Sequence, residues 1–401
     1  MNDAAQKGRP KKAEQALSIL EEFALCHWKG KGYMIVKNQA LEIGNTQYKE
    51  YISRLFFLNY SSGLTDNQLK EIISIQKGKA KFEASEKQVY FRTAAISETL
   101  TFIGLADEQG TIIKVNPAGW SIADKPDVIF FRPANIQPLP IPDKNGSIEL
   151  FRKFLNLKNE SDFILIKSIL PFMLRGRPGN RGSYLATNFT GPEGSAKSTA
   201  AKMIKSIIDP CTPEIRTPGS DVRDLFIAAC RCHVLNLDNI SHITRDYSDA
   251  LCSIITGGGF ARKLNYSDDE EMVFENCNPL LLNGITFKTA PDLMSRLIQI
   301  ELESISDEQR KTEAELWGEF EKVKPEILGG VLTALSNALG EYEKNFNTPP
   351  LPRLADFGRF TIALERGNGW TEGTTLEALK ENYNSGLDGI SEENPLFTIL
   401  F

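Results

Sequence analysis

The sequence predicts a mixed α/β protein: a parallel sheet covered by helices, preceded by a small α+β domain and followed by a helical segment. From residue 183, apolar strand-like runs alternate with helical patterns, which is typical of a parallel sheet with helices on both faces. One of these runs leads through a glycine-rich loop into a helix. Beyond about residue 307 the pattern is helical almost throughout, which predicts a helical segment behind the core.

Composition and charge exclude several classes of protein. The 401 residues include 46 basic and 52 acidic side chains, a net charge of −6, with 41% apolar and 24% charged residues. These values are ordinary for a soluble globular protein. Because the net charge is negative, the chain cannot hold nucleic acid through an overall positive charge, so any DNA contact must come from a local group of basic residues. No run approaches the roughly 18 apolar residues of a membrane span, and the amino terminus lacks a signal-peptide core. We therefore expect a cytoplasmic protein with no membrane partner. The six cysteines lack the spacing of a zinc site.

The amino-terminal part is expected to be a small α+β domain over residues 1–135. A helical pattern covers 13–25. Two apolar runs at 101–105 and 111–115, separated by a turn-rich stretch, predict a β-hairpin, and 128–131 is a further strand candidate.

A proline-rich linker is predicted at 136–147, because its three prolines at alternating positions exclude a helix interior and a central strand. After it we expect the core at 148–306 and a helical lid and tail at 307–401. A Gly/Arg loop at 175–182 precedes the first core strand. Helices are expected at 148–157, 161–174, 307–323, 325–345, 354–366 and 376–384.

The glycine-rich loop has the pattern of a phosphate-binding loop. It lies between a strand at 184–190 and a helix at 199–208, so backbone N–H groups would surround phosphates at a helix amino terminus. In this pattern the lysine reaches the β- and γ-phosphates and the next hydroxyl holds Mg²⁺. Alanine replaces the second glycine of the pattern, and we expect it to keep a negative φ. The interpretation is ATP binding; the alternative is a coincidental turn. The residues are Gly191, Pro192, Glu193, Gly194, Ser195, Ala196, Lys197, Ser198 and Thr199.

An acidic residue is expected to complete the magnesium site. The apolar run at 233–237 puts Asp238 at the carboxyl end of a buried strand, where nucleotide sites of open α/β sheets lie. The alternative is an ordinary acid at a strand–loop junction. Many such ATPases have a glutamate base next, where this chain has Asn239, which cannot take a proton. Hydrolysis is therefore expected to be slow, or its base to lie elsewhere.

A third strand ends at Asn283, and a short helix ending at Arg296 leads into a strand at 297–302. With these, the order of elements resembles the AAA+ ATPases of superfamily 3, the phage and viral replication helicases. It is most similar to helicase-like ATPases of bacterial phages and mobile elements, over roughly residues 156–379. The resemblance implies an AAA+ core with a helical lid, and Asn283 as a sensor of the γ-phosphate. It also implies Arg296 as an arginine finger for a neighbouring subunit, hence a ring, with a hexamer favoured. The alternatives are a strand-end turn residue and a surface arginine.

Residues 256–277 resemble the hairpin with which superfamily 3 relatives hold single-stranded DNA. By that resemblance Arg262 and Lys263 contact phosphates, and the flanking Phe260 and Tyr266 suit base stacking. The expected tip, 267–271, carries four acids that would repel DNA. The alternative is therefore a hairpin that contacts protein.

The function expected from the sequence is a Mg-ATP-dependent AAA+ ring ATPase that acts on DNA and is helicase-like. One alternative is a regulatory switch or loader that engages partner proteins without translocating. Another is a non-hydrolysing module that keeps ATP to set its shape. A protein partner is expected to bind the amino-terminal domain or the apolar tail at 395–401. Residues 7–12 resemble an AT-hook, with a flexible basic tail as the alternative.

Overall fold

The computed structural model describes residues 11–219, 221–240, 243–263, 271–275, 277–284, 291–308, 310–342, 344 and 348–393. At 260–263, 271–275, 291 and 385–393 it describes the backbone alone. The chain divides into two compact units. The first comprises Met1–Phe91, Glu108–Thr111 and Asp124–Ala134, and the second comprises Arg92–Asp107, Ile112–Ala123 and Asn135–Phe401. The domain boundaries expected from the sequence stay predictions.

Up to residue 134 the described chain alternates short strands with three helices. The helices are α1 (Lys12–Leu20), α2 (Thr46–Tyr60) and α3 (Asp66–Phe82). The strands are β1 (Leu25–Trp28), β2 (Lys31–Val36), β3 (Gln39–Glu42), β4 (Val89–Tyr90), β5 (Thr93–Ser97), β6 (Leu100–Gly104), β7 (Ile112–Asn116), β8 (Gly119–Ile122) and β9 (Ile129–Phe131).

The first unit is built on a five-stranded sheet in the order β1-β2-β3-β9-β4. Helices α1, α2 and α3 bury Leu20, Phe56 and Ile72 in one apolar cluster. Helix α2 begins where the Asn45 side chain accepts a hydrogen bond from the Tyr48 N–H, a typical N-cap. The predicted strand at 128–131 is confirmed by β9, and the predicted helix at 13–25 ends early because β1 begins at residue 25.

The second unit contains the remaining elements. Two 3₁₀ helices cover Ile148–Phe154 and Pro178–Asn180. The α-helices are α4 (Glu160–Arg175), α5 (Lys197–Ile208), α6 (Val222–Ala229), α7 (Arg245–Thr256), α8 (Pro291–Met294), α9 (Glu313–Tyr342), α10 (Ala355–Asn368) and α11 (Thr374–Glu393). The strands are β10 (Ala186–Thr190), β11 (Leu235–Leu237), β12 (Gly259–Lys263), β13 (Glu271–Glu275), β14 (Leu280–Asn283) and β15 (Leu297–Glu301).

A parallel sheet in the order β11-β14-β10-β15 forms the centre of the second unit, which confirms the predicted α/β class with a parallel sheet. A single parallel bridge between Arg216 and Leu237 extends it beyond β11. In the register, Phe189 lies beside both Asn283 and Ile300, so the strands end along one edge. Residues that follow these strands must therefore meet at that edge.

Helices cover both faces of this sheet. Along β14, Leu281 packs into the cluster formed with α4, α5, α9 and α10, whereas Leu280 and Leu282 pack into the cluster formed with α6 and α7. This alternation follows from the pleat, which turns successive side chains to opposite faces. A strand buried on both faces is typically rich in apolar residues, as β14 is up to Asn283.

A four-stranded antiparallel sheet, β5-β6-β7-β8, also belongs to the second unit. The pairing of β6 with β7 confirms the predicted hairpin. No helix of the described residues is long and apolar enough to cross a membrane.

The helices predicted at 307–323 and 325–345 are wrong as two elements, because α9 runs through Pro325 without a break. Burial of the helix on both sides of the proline outweighs the cost of the missing N–H. The backbone at 143–148 packs directly against α9, where a Cβ on Gly329 would overlap the Asp143 carbonyl oxygen.

One carboxylate of the core has an unusual environment. Asp162, near the start of α4, is 4% exposed, and its Oδ2 accepts a hydrogen bond of 3.0 Å from the Glu301 N–H of β15. Burial, and to a smaller extent the charge of Glu301, raises the pKa of Asp162 to about 6.

Asp162→Asn is expected to remove a pH dependence of stability. Because the pKa of Asp162 in the folded protein lies above its usual value of about 3.9, the folded state keeps this proton between about pH 4 and 6. Ionisation of Asp162 therefore lowers the free energy of unfolding progressively as the pH rises from about 4 to 6. Above that range the loss of stability stays constant. Asparagine keeps an oxygen for the Glu301 N–H without the charge. Relative to wild type, the variant should gain about 2 kcal/mol between pH 4.5 and pH 8, measured by urea unfolding. A difference that does not change with pH would contradict this assignment.

Candidate nucleotide-binding site

The loop between β10 and α5 makes a tight turn that depends on two glycines. Gly191 has φ 139° and Gly194 has φ 76°, in the region that favours glycine. A Cβ at Gly191 would overlap the Leu302 carbonyl oxygen and lie 2.9 Å from the Ser195 Oγ. The loop ends at the amino terminus of α5, where the N-cap side chain accepts no hydrogen bond. Such a helix end favours an anion.

Ala196, the N-cap residue of α5, departs from the expectation drawn from the sequence. We expected a negative φ, and this expectation is wrong: φ is 65° and ψ is 31°, the left-handed conformation. The loop requires that conformation to direct the chain into α5, whichever residue stands there. An alanine in this conformation costs about 1–2 kcal/mol.

Ala196→Gly is expected to stabilise the protein by about 1 kcal/mol, because glycine relieves the strain and loses some of that gain through its freer unfolded chain. The measurement is urea unfolding. The matched control is Ala200→Gly in the interior of α5, where glycine lowers helix stability by about 1 kcal/mol. Destabilisation by both substitutions would show that the left-handed conformation at 196 is not adopted.

Lys197 lies within the curve of the loop. Its Nζ donates to the carbonyl oxygens of Gly191 at 2.8 Å and Pro192 at 2.7 Å. The Ser195 hydroxyl is buried and donates to the Pro192 carbonyl at 2.8 Å, which fixes the turn. The ammonium charge is therefore held at the helix amino terminus. Of the other predicted residues, Pro192, Glu193 and Gly194 are exposed. Thr199 is half-buried in the first turn of α5.

Four polar residues from three elements meet at the carboxyl edge of the sheet. The Ser198 hydroxyl donates to Asp238 Oδ1 at 3.0 Å and Oδ2 at 3.2 Å. Asn283, which is 2% exposed, donates from Nδ2 to the Ser198 Oγ at 3.3 Å. Its Oδ1 accepts from the Asn239 N–H at 2.8 Å. The network joins the phosphate-type loop to the ends of β11 and β14, as the sequence predicts.

The donor atoms fit a magnesium ion bound with a nucleotide. A hydroxyl and a carboxylate from different elements lie within 3.2 Å of each other, and Mg²⁺ prefers such oxygen ligands. Lys197 and the glycine-containing turn immediately precede Ser198 in the chain. The residues present therefore suit Mg-ATP.

Asn239 follows Asp238 in a left-handed conformation, with φ 56°. Asparagine tolerates this conformation better than most residues. Its N–H also lies 2.9 Å from Asp238 Oδ1, and its side chain is exposed. A Cβ at Gly284 would lie 2.9 Å from the Asn239 Cα, so the backbones approach closely here. A glutamate base at 239 would have to adopt the same strained backbone.

Arg296 is not brought to this network. Its backbone carbonyl accepts from the N–H of Ala186, the first residue of β10, whereas the loop follows the last residue. Its Nη1 donates to Asp292 Oδ1 at 2.6 Å, and Arg353 pairs with the same carboxylate. These interactions, with the Arg296 hydrogen bond the largest, lower the pKa of Asp292. Arg296 is thus held at the opposite edge of the sheet.

The predicted DNA-binding pair lies on a hairpin. The backbones of Arg262 and Lys263 on β12 pair with Met272 and Glu271 on β13. Their side chains lie outside the described residues, as do residues 264–270, which include all but the last residue of the acidic tip predicted at 267–271.

Arg310 is near the loop and was not predicted. Its Nη2 lies 3.7 Å from the position of a Cβ on Gly194, and its side chain is 59% exposed. Leu302 N–H donates to the Thr190 carbonyl at 2.9 Å, so the chain after β15 passes beside the chain after β10. The register of the sheet could have indicated this proximity, but no motif marks Arg310.

Comparison with known proteins gives a family match. A family model described as the actinomycete integrative conjugative element replication protein matches residues 174–392. A comparison with curated proteins gives no match. The apo structure of the NrS-1 C-terminal region (305–718) is 13% identical, covering 93% of this chain and 76% of that chain with a TM-score of 0.44. The X-ray structure of JCV helicase is 14% identical, covering 57% of this chain and 62% of that chain with a TM-score of 0.26. These two similarities are too low to establish a shared fold.

Proposed function

The chain belongs to the family of actinomycete integrative conjugative element replication proteins, and from this premise we propose that it is a Mg-ATP-dependent AAA+ ring ATPase that acts on DNA. The resemblance to replication proteins of mobile elements that the sequence indicates is thereby confirmed. The helicase-like activity is part of the proposal. The observation that carries it is the Ser198–Asp238 pair beside the Lys197 loop.

The AAA+ arrangement is supported by the parallel order β11-β14-β10-β15, extended by the bridge at Arg216. The strand that leads into the loop lies between the strand ending in Asn283 and the strand that follows Arg296. Helices α9, α10 and α11 then supply the lid.

In this proposal residues 191–199 hold the ATP phosphates. Lys197 neutralises negative charge on them, and Ser198 with Asp238 holds Mg²⁺. A Mg²⁺ ion held by these two residues would offset the negative charge that develops on the phosphates. Asn283 contacts both the Ser198 hydroxyl and the Asn239 N–H, so it is placed to sense the γ-phosphate of an ATP held beside them. Arg310 adds a positive charge from the same chain.

We propose that Asn239 orients the attacking water without accepting its proton, so that hydrolysis is slow. Asn239 is exposed, and its backbone N–H donates to the Asp238 carboxylate at 2.9 Å. Amides that orient water are used in other nucleotide hydrolases.

Arg296 is proposed to act on a neighbouring subunit. It lies at the sheet edge away from its own loop, and Asp292 holds its guanidinium in place. An arginine supplied in this way requires a ring, and a hexamer is our proposal.

Stimulation of ATP hydrolysis by single-stranded DNA tests whether the protein acts on DNA. We expect several-fold stimulation, reduced in Arg262→Ala/Lys263→Ala and kept in a control at Lys322, an exposed lysine of α9. Clear basal turnover with no response to DNA would contradict a DNA-acting motor.

A regulatory switch or loader is the second candidate. The absence of a carboxylate at 239, in a backbone conformation that disfavours glutamate, supports slow turnover suited to a switch. Strand unwinding separates the two: a motor unwinds a forked duplex with ATP, and a switch does not.

A further inference from the structure

A cavity of about 150 Å³ lies among α4, the loop that follows it and α10. Its lining is rich in arginine and contains two carboxylates, which leaves two positive charges in a chain of net charge −6. The charged residues are Arg175, Arg177, Arg181, Arg359, Glu98 and Asp356. We name this group the arginine cleft.

Both carboxylates of the arginine cleft are engaged by the protein itself. Glu98 pairs with Arg175, which is 8% exposed and lies 4.6 Å from the Tyr342 ring centroid. Asp356 Oδ2 accepts from the Ser183 N–H at 3.0 Å and thereby fixes the end of the loop.

The two arginines of the loop differ in how they are held. Arg177 donates from Nε to the Gly182 carbonyl and from Nη2 to the Asn180 carbonyl, each at 2.7 Å, so its guanidinium is positioned by backbone. Arg181 is exposed. Gly176 and Gly182, with φ 75° and 87°, allow sharp turns on either side of these two arginines, and both arginines line the cavity.

The arginine cleft adjoins the root of the β12–β13 hairpin. Gly257, two residues before β12, has φ 84°, and a Cβ there would lie 2.8 Å from the Arg177 Nη2. The cavity lies before the start of β10, and the phosphate-type loop follows its end. Five residues of strand separate the two by about 15 Å. The arginine cleft is therefore not part of the nucleotide site.

We propose that Arg177 and Arg181, with Arg359 beside them, bind phosphates of single-stranded DNA as a contact continuous with the hairpin. This inference rests on the proposed DNA-acting function and adds a second group of residues to it. Guanidinium groups suit phosphate because they offer paired, planar donors. With the carboxylates already engaged, the net charge of the cleft favours an anion. Contacts of this kind would hold the strand without reading its sequence.

The test is binding of a fluorescent oligo-dT strand to the full chain with Mg-ATP, followed by anisotropy at several salt concentrations. Arg181→Glu carries the test, because an exposed side chain can be replaced without disturbing the loop; Arg177→Ala is the second variant. We expect about tenfold weaker binding for Arg181→Glu. The salt slope should fall by about 0.7 for each phosphate that a variant no longer binds.

Lys322→Glu is the matched control for Arg181→Glu, since it reverses an exposed positive charge in the same way. It lies on α9 some 20 residues before Tyr342, about 30 Å along the helix. If the wild-type protein binds DNA and both arginine variants bind it equally well with the same salt slope, the proposed DNA contact at the arginine cleft is contradicted. The proposed function then still stands. If wild type does not bind single-stranded DNA, the DNA part of the proposed function fails as well.

Discussion

Lys197→Ala is expected to lower kcat/KM for ATP hydrolysis by about 100- to 1,000-fold, the loss typical when one preorganised charge or donor is removed from a reacting centre. The Lys197 Nζ is held within the loop by two carbonyl oxygens at 2.7–2.8 Å, at the amino terminus of α5. This holds the positive charge at the end of the helix where the phosphates are proposed to bind. Alanine leaves the loop with its backbone donors alone.

The control for this prediction is Lys202→Ala, on the same helix. Five residues further along α5, its side chain points about 140° away from that of Lys197 around the helix axis. It should keep hydrolysis within about twofold of wild type. Equal losses in both variants, or an unaffected Lys197→Ala with a native urea-unfolding curve, would contradict the role given to Lys197.

Ser198→Ala and Asp238→Asn are each expected to lower kcat/KM by about 100-fold, and the double variant should be little worse than either. The two side chains lie within hydrogen-bonding distance, 3.0 Å, and are proposed to hold the same ion. Residues that act as a unit give losses that do not multiply. Each single loss should diminish as the Mg²⁺ concentration is raised.

Ser206→Ala, two turns further along α5, is the matched control and should leave hydrolysis within about twofold of wild type. A double variant whose loss is the product of the two single losses would show that Ser198 and Asp238 act independently. Losses that do not depend on Mg²⁺ would mean that the pair holds no ion.

The parts of the site that could be predicted from sequence are those with local signals. Glycine, lysine and serine of the loop are adjacent in the chain, and Asp238 and Asn283 each end an apolar run. Parallel strands that end at one edge bring these residues together, as the hydrogen bonds from Asn283 to Ser198 and from Asn239 to Asn283 demonstrate.

The parts that could not be predicted depend on tertiary structure. The left-handed φ of Ala196 is imposed by the loop, against the preference of alanine. Helix α9 continues through Pro325 because apolar side chains on both sides of the proline pack into the core, whereas the local signal predicts a break. Arg310 reaches the loop through the register of β15, and the arginine cleft combines segments far apart in sequence.

Calorimetric titration of the full chain with ATP, with and without Mg²⁺, tests the central claim most directly. The account predicts one ATP bound per chain, with affinity at least about tenfold weaker in EDTA or in Asp238→Asn, because the ion offsets phosphate charge. Lys197→Ala should weaken binding in both conditions. If natively folded wild-type protein binds no ATP in the presence of Mg²⁺, the nucleotide site at residues 191–199 is contradicted.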